Sequence, residues 1–249
     1  MKKTLFLSVA ASMAFAAPAT ADGYFSGWEG EASLAGSNTT GNTETTDIGV
    51  ALKLAKEADI WRHKFKALAD YGETDNEKNK QRFSLGYQLD RDLNDRTYVF
   101  VNGDYFNDDF GSYQDGYYLG VGVGRKIILP APISWNLEGG AGFRSQTEQD
   151  IKDSAGNVTA QGDTEEEFAL RGFSDFDYEI NDKVSLFNDT EILWSDSDTH
   201  IWNDIGLTAK LTERLSARAS YRVDNHSDVP AGVEKTDTIT RFGIVYSMK

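Results

Sequence analysis

The chain has no cysteine, so a disulfide framework and a lipid-modified cysteine anchor are both excluded. Histidine is nearly as rare, at three residues, which leaves His63, His200 and His226 to carry any imidazole chemistry. Proline occurs four times, and Pro130 and Pro132 share one short connection, LPAP. Long apolar runs are missing beyond the first residues. The run Leu5 to Ala17 is too short for a membrane-spanning helix, and nothing later approaches the required length. Basic charge is also short: 25 Lys and Arg stand against 40 Asp and Glu, a formal net charge of -15. That balance argues against a nucleic-acid partner, because phosphates would be repelled. The same balance argues against a basic patch for anionic lipid surfaces.

The N-terminus reads as a secretory signal. Lys2 and Lys3 precede the apolar run, and Ala19-Thr20-Ala21 fits a small-residue cleavage site. Residues 1–21 are expected to be removed, leaving one domain over 22–249.

What remains is built on alternation. In Asp47 to Leu54, Ile48, Val50, Leu52 and Leu54 alternate with Asp47, Gly49, Ala51 and Lys53. In Trp61 to Tyr71, Trp61, His63, Phe65, Ala67, Ala69 and Tyr71 alternate with Arg62, Lys64, Lys66 and Asp70. Successive strand residues point to opposite faces, so each segment has one apolar and one polar face. The negative mean hydropathy does not oppose a membrane barrel, in which only alternate residues need be apolar. Aromatics at 12% and 23 glycines suit such a barrel, with girdles and close packing between strands.

The pattern predicts an all-β fold: a closed antiparallel up-and-down transmembrane β-barrel of about twelve strands. These run from Trp28 to Ser37, Thr45 to Lys56, Trp61 to Gly72, Lys80 to Asp90, Arg96 to Phe106, Gly116 to Lys126, Ser134 to Gln146, Thr164 to Tyr178, Val184 to Trp194, Ile201 to Leu211, Leu215 to Asp224 and Asp237 to Met248. The facing of the fifth is ambiguous, and the ninth is the least regular. On the sixth, Gly120, Gly122 and Gly124 lie on the inner face and leave room for long side chains from neighbouring strands. The connections alternate in length. KEAD, RDLND, LPAP, INDK and LTER are short; SNTTGNTET, ETDNEKN, FNDDFGSYQD, Thr147 to Asp163, SDSDTH and NHSDVPAGVEKT are longer. Short periplasmic turns and longer outer loops are expected of an outer-membrane barrel, with both termini periplasmic. Trp28, Trp61 and Trp135 each begin an odd-numbered strand, where an indole suits the headgroup level. The alternative is the core of a soluble sandwich.

The segments GWEGEASLAGSNTTGNTETTDIGVALKLAKEADIWRHKFKALADYGE and PAGVEKTDTITRFGIVYS resemble a domain-of-unknown-function family also described as salt-induced outer membrane proteins. The Gly-Asn-Thr turn at Gly41 to Thr43 belongs to the same pattern. The resemblance implies an outer-membrane barrel of undefined substrate, linked to salt or osmotic stress, and brings no catalytic residues with it. The ending Tyr246-Ser247-Met248-Lys249 departs from the terminal aromatic common in such barrels.

The inner parity defines the candidate lumen. Arg62, Lys64, Lys66 and Arg82 form a basic sector on the third and fourth strands. Glu165, Glu167, Asp175, Asp177, Asp189 and Glu191 form an acidic sector on the eighth and ninth. Glu138 and Arg144 on the seventh strand and Arg171 on the eighth share the inner parity, and Arg218 and Arg222 form a second basic strip. Opposed sectors can set a transverse field that selects polar solutes, or can pair and fill a narrow lumen. About twelve strands lies between filled small barrels and open porins.

Enzymatic chemistry has one candidate. His200, Asp196, Asp198, Asp224 and His226 could cluster at the outer ends of the tenth and eleventh strands. An outer-membrane hydrolase would use them with a serine nucleophile or an acid–histidine pair. Such residues in loops more often serve turns and solvation. His63 is read as interfacial. Acidic pairs at Asp108-Asp109, Asp150 with Asp153 and Asp196 with Asp198 lack the ordered spacing of a calcium loop. They read as a solvated rim facing lipopolysaccharide. The expectation is therefore a non-enzymatic barrel without cofactor, catalytic centre or dedicated metal site, in contact with outer-membrane lipid and with small polar solutes. A soluble periplasmic lipid-carrying barrel is the remaining alternative. Oligomeric state is left open.

Overall fold

The structure is a computed structural model, and describes residues 27–40, 45–74, 77–111, 113–128, 131–152, 158–229 and 234–248. The signal segment 1–21, the turn at Gly41 to Thr43, Asp153 and residues 230–233 lie outside the described residues.

Alternating sequence becomes a closed ring of twelve strands. These are β1 (Glu29–Thr40), β2 (Thr45–Ala58), β3 (Trp61–Thr74), β4 (Glu77–Asp92), β5 (Thr97–Asp108), β6 (Tyr113–Ile128), β7 (Ile133–Glu148), β10 (Thr164–Asn181), β11 (Val184–Ser195), β12 (Thr199–Lys210), β13 (Leu215–His226) and β14 (Thr236–Met248). A separate small hairpin, β8 (Ile151–Lys152) and β9 (Val158–Ala160), stands in the connection between β7 and β10. Each barrel strand pairs antiparallel with its sequence neighbours. The pairing of β1 with β14, from Gly30↔Met248 to Thr40↔Thr238, closes the ring. Closure leaves no strand edge with unpaired backbone groups, which hydrocarbon requires.

The outer wall is apolar. Leu119 and Val121 on β6 are 59% and 60% exposed, and Phe143 and Phe242 are each 67% exposed. Leu34, Val101, Leu170, Ile205, Leu207 and Ile244 continue the belt. Charged side chains turn inward: Asp90, Asp70, Glu138, Arg144 and Arg171 are buried. A soluble lipid carrier needs the reverse arrangement, with an apolar interior. No helix among the described residues is long and apolar enough to cross a membrane; the strands span instead.

At the end of the barrel with the shorter turns, Trp61 opens β3, and the ring of Trp28, just ahead of β1, stands 6.2 Å from His63. His63 Nδ1 is hydrogen-bonded to the Tyr87 hydroxyl at 2.7 Å on the outer surface. Trp135 Nε1 donates to Ser174 Oγ at 3.0 Å. At the other end Phe143 and Phe168 meet edge to face at 6.3 Å, and Tyr71, Phe83 and Trp194 are exposed.

The loop expectation needs correction. β3 continues to Thr74 and β4 begins at Glu77, inside the segment ETDNEKN read as loop. β6 begins at Tyr113, inside FNDDFGSYQD. Polar strand that projects beyond the apolar belt has no hydrophobic alternation to mark it, so it reads as loop. The long connections are the hairpin-bearing 149–163 and the stretch 227–235. Gln149 ties the first to the barrel by donating to the Asp108 and Gly111 carbonyls.

The ambiguous fifth strand resolves by packing. Tyr98 and Phe100 face inward and are 1% and 3% exposed. They lie flat on β6: a Cβ on Gly124 would come within 2.1 Å of the Tyr98 ring, and one on Gly122 within 2.5 Å of Phe100.

Candidate functional site

Among the described residues, two cavities lie in the barrel interior. The larger, about 710 Å³, opens at the end with the long connections; the smaller, about 380 Å³, lies towards the short turns. Both are lined by Glu31, Lys53, Lys66, Phe173, Phe187, Asp189 and Arg218. These shared residues form a waist between two vestibules.

The waist follows from strand order. Lys53 on β2 and Asp189 on β11 stand nearly opposite each other, with β1, β14, β13 and β12 between them on the shorter way round. Their charged groups are 3.9 Å apart across the lumen. Lys66 on β3 reaches the same wall, its Nζ 5.8 Å from the centre of the Phe173 ring. Beside them Arg218 donates to both carboxylate oxygens of Glu31, at 2.6 and 2.8 Å, and lies over Phe187. The Lys53–Asp189 pair is long and Lys53 is half exposed, so its attraction is worth only about 0–1 kcal/mol. The pair narrows the lumen where the two cavities adjoin.

A tighter network fills one side of the smaller vestibule. Glu138 on β7 accepts from Tyr98, Gln88 and Arg171 at 2.8, 2.8 and 2.9 Å. Arg62 donates to Asp90 at 2.9 Å, and Lys64 pairs with Asp90 at 3.1 Å and Glu138 at 3.6 Å. Arg171 also holds Glu191 at 2.8 Å. Arg62 and Lys64 are thus neutralised by Asp90 and Glu138. They do not face the acidic wall directly, whereas Lys53 and Lys66 do. Asp175 and Asp177 line the smaller vestibule below Asp189. Arg82 lines the larger one, 3.9 Å from Asp108.

Towards the long connections, Arg222 pairs with Asp204 at 3.1 Å and lies 4.8 Å from the centre of the Trp202 ring. Arg144 holds Glu167 at 3.4 Å and Asp198 at 3.7 Å. Glu165 shares this rim on the inward parity of β10, next but one to Glu167. His200 and His226 are directly opposed across β12 and β13, with rings stacked 4.2 Å apart. His200 Nε2 lies 2.5 Å from Asp224 Oδ1, and His226 Nδ1 2.6 Å from Asp198 Oδ2. Burial of the Asp198 carboxyl would raise its pKa. The His226 contact and the hydrogen bonds from Ser227 and the Asp228 N–H outweigh that and hold it well below the usual carboxylate range. Asp196 is exposed and has no contact with this group among the described ones.

Sequence reading missed Lys53, Glu31, Asp90 and the inward aromatics Phe173 and Phe187. Lys53 carried a signal: it is the one cation on the polar parity of β2, between outward Leu52 and Leu54. Asp90 carried a signal too: it ends the expected fourth strand on the parity of Arg82 and Gln88. The inward aromatics carried none, because an aromatic suits either wall.

The family described as "Protein of unknown function, DUF481" matches residues 32–248. The chain belongs to that family. The uncharacterized protein YdiY of Escherichia coli (strain K12) is 22% identical over 176 residues, covering 70% of this chain and 65% of YdiY, just under two thirds of that protein's length. Among solved structures, the NanC porin is similar with a TM-score of 0.56 at 13% identity, covering 87% of this chain and all of that one. An outer membrane channel from Pseudomonas putida F1 also gives 0.56, at 10% identity, over 88% of this chain and 95% of that one. The translocator domain of the autotransporter NalP from Neisseria meningitidis gives 0.55, at 11% identity, over 97% and 93%. At these identities the likeness is one of fold: this DUF481 chain has the architecture of outer-membrane barrels.

Proposed function

We propose that this protein is a non-enzymatic outer-membrane channel with a narrow lumen, passing small polar solutes or ions. One observation carries the reading: two cavities in the polar interior share a waist, where the Lys53–Asp189 contact across the lumen is long and half exposed. Mixed charge there, from Lys53, Lys66 and Arg218 against Glu31 and Asp189, favours small polar or zwitterionic solutes over apolar ones. The porin and the channel among the fold neighbours agree with this reading. Swelling of liposomes carrying the purified protein tests it. Small sugars and amino acids should enter faster than into protein-free liposomes; equal rates would contradict a channel.

The short turns and both termini are assigned to the periplasm, and the long connections and their acidic rim to the lipopolysaccharide side. Protease added to intact cells should cut within 149–163. Cleavage only after permeabilisation would reverse the orientation. The salt association rests on the family resemblance; a deletion strain is expected to grow more slowly than its parent in high salt.

A hydrolase at the mouth is disfavoured by its hydrogen bonds. Ser195 donates to the Asp198 carbonyl, Ser197 to Glu167 and Ser227 to the Asp198 carboxylate. Each of these hydroxyls is committed away from the imidazoles that would have to activate it.

A further inference from the structure

The pair of histidines at the mouth has an arrangement that conduction does not require. Asp198 sits in the turn between β11 and β12, its side chain 1% exposed. One of its oxygens accepts from the Ser227 N–H and hydroxyl and from the Asp228 N–H. The other faces His226 Nδ1 at 2.6 Å. Facing a carboxylate, that ring nitrogen must be the donor. In the neutral ring the proton is then fixed on Nδ1, and Nε2 presents a lone pair.

That lone pair points at another acceptor. His226 Nε2 lies 3.8 Å from Asp224 Oδ1, too far for a hydrogen bond. His200 Nε2 approaches the same oxygen from the neighbouring strand, at 2.5 Å. Residues 224 and 226 are two apart on β13 and His200 pairs with His226, so all three side chains project from one face of a two-stranded ribbon into the larger cavity. The three ligand atoms lie within 4.8 Å of one another. A metal ion must lie in the plane of each imidazole, and the two rings are stacked nearly parallel at 4.2 Å. Metal–nitrogen and metal–oxygen bonds of roughly 2.0–2.2 Å therefore require the rings to turn towards a common point as the His200–Asp224 pair spreads.

We propose that His200, His226 and Asp224 bind a divalent transition-metal ion of the zinc class at the mouth of the lumen, with Asp198 orienting His226. Two imidazoles and a carboxylate suit zinc, nickel, cobalt or copper. Calcium and magnesium prefer shells made of oxygen. A carboxylate behind a ligating imidazole is the usual device that fixes tautomer and ring direction. Three protein ligands on one wall leave the remaining positions open to water from the lumen, so the ion can exchange with solution. Occupancy places a double positive charge in the mouth. The site goes beyond the channel reading and does not depend on it.

The experiment is equilibrium binding of zinc to the full barrel, purified in detergent and stripped with chelator, with calcium and magnesium as parallel probes. One zinc per chain is expected, with neither calcium nor magnesium competing at a hundredfold excess. His200→Ala and His226→Ala should abolish stoichiometric binding, and His63→Ala should leave it intact. Asp198→Asn should weaken binding about 10–100-fold, as loss of an orienting partner does. Copper(II) bound to the unaltered protein should show magnetic coupling to two imidazole nitrogens, a readout that needs no variant to fold. No zinc uptake by the folded protein, uptake unchanged in His200→Ala, or a copper spectrum without imidazole nitrogen would each overturn the site. Displacement by equimolar calcium would overturn the metal class.

Discussion

Glu138 accepts hydrogen bonds from β4, β5 and β10 and pairs with Lys64 from β3, so four strands converge on one carboxylate. Its side chain is 3% exposed. Removing one partner of such a buried set leaves the others uncompensated, at a cost of about 3–5 kcal/mol. Glu138→Ala should therefore lower the urea midpoint of the folded barrel in lipid vesicles, whereas Lys53→Ala, in a half-exposed pair, should leave it nearly unchanged. Equal effects would mean that the Glu138 network is solvated. At this scale, the parity of charged residues could be read in the sequence, but their partners could not. Arg62 and Lys64 were set against the acids opposite because Asp90, the last residue of the expected fourth strand, was left out of the inward set. The histidine group was legible as a neighbourhood, because strand order brings residues 198–200 and 224–226 together. Its internal direction, with Asp198 behind His226 and Asp224 in front, needed coordinates.

Single strands explain where the pattern was hard to read. β11 breaks the alternation because Asn188 and Thr190 lie on the outward parity while Phe187 lines the cavities. The outward polar groups satisfy each other: Asn203 donates to Thr190 at 2.6 Å, and Asn188 donates to Asn203 at 3.3 Å. β5 was ambiguous because both of its faces carry aromatic or β-branched residues, and the β6 glycines decide the matter. Gly122 shows how strictly. An added Cβ would meet Phe100 at 2.5 Å and the Gly139 carbonyl oxygen at 2.4 Å, and that backbone cannot step aside. Gly122→Ala should destabilise by about 1–3 kcal/mol. Gly172 on β10 has nothing within 4 Å of its Cβ position. Gly172→Ala should be neutral or stabilise by about 0.4–1 kcal/mol, through the lower entropy of the unfolded chain. Refolding titrations of both variants check this, and the reverse ranking would mean that β5 and β6 do not pack as described.

For the whole molecule, the ring of twelve strands was legible because lipid on one side and charge on the other impose a period of two on all the strands but β5 and β11. The waist was not, because Lys53 and Asp189 are far apart in sequence and meet only once the ring closes. The apolar belt makes its own prediction. Val121, mid-way along β6, is 60% exposed. An arginine there would be tolerated within about 0.5 kcal/mol in a water-soluble protein, but at a bilayer midplane it costs about 2–4 kcal/mol. Refolding of Val121→Arg into vesicles should show the larger loss, and a negligible loss would remove the membrane from the account. The channel itself is tested most directly by single-channel recording of the purified barrel in a planar bilayer, with Lys53→Ala and Asp189→Ala alongside. The account predicts small discrete current steps from the unaltered protein, larger steps from both variants and opposite shifts in their ion preference. Folded, inserted protein that gives no steps, with neither variant opening it, would contradict it.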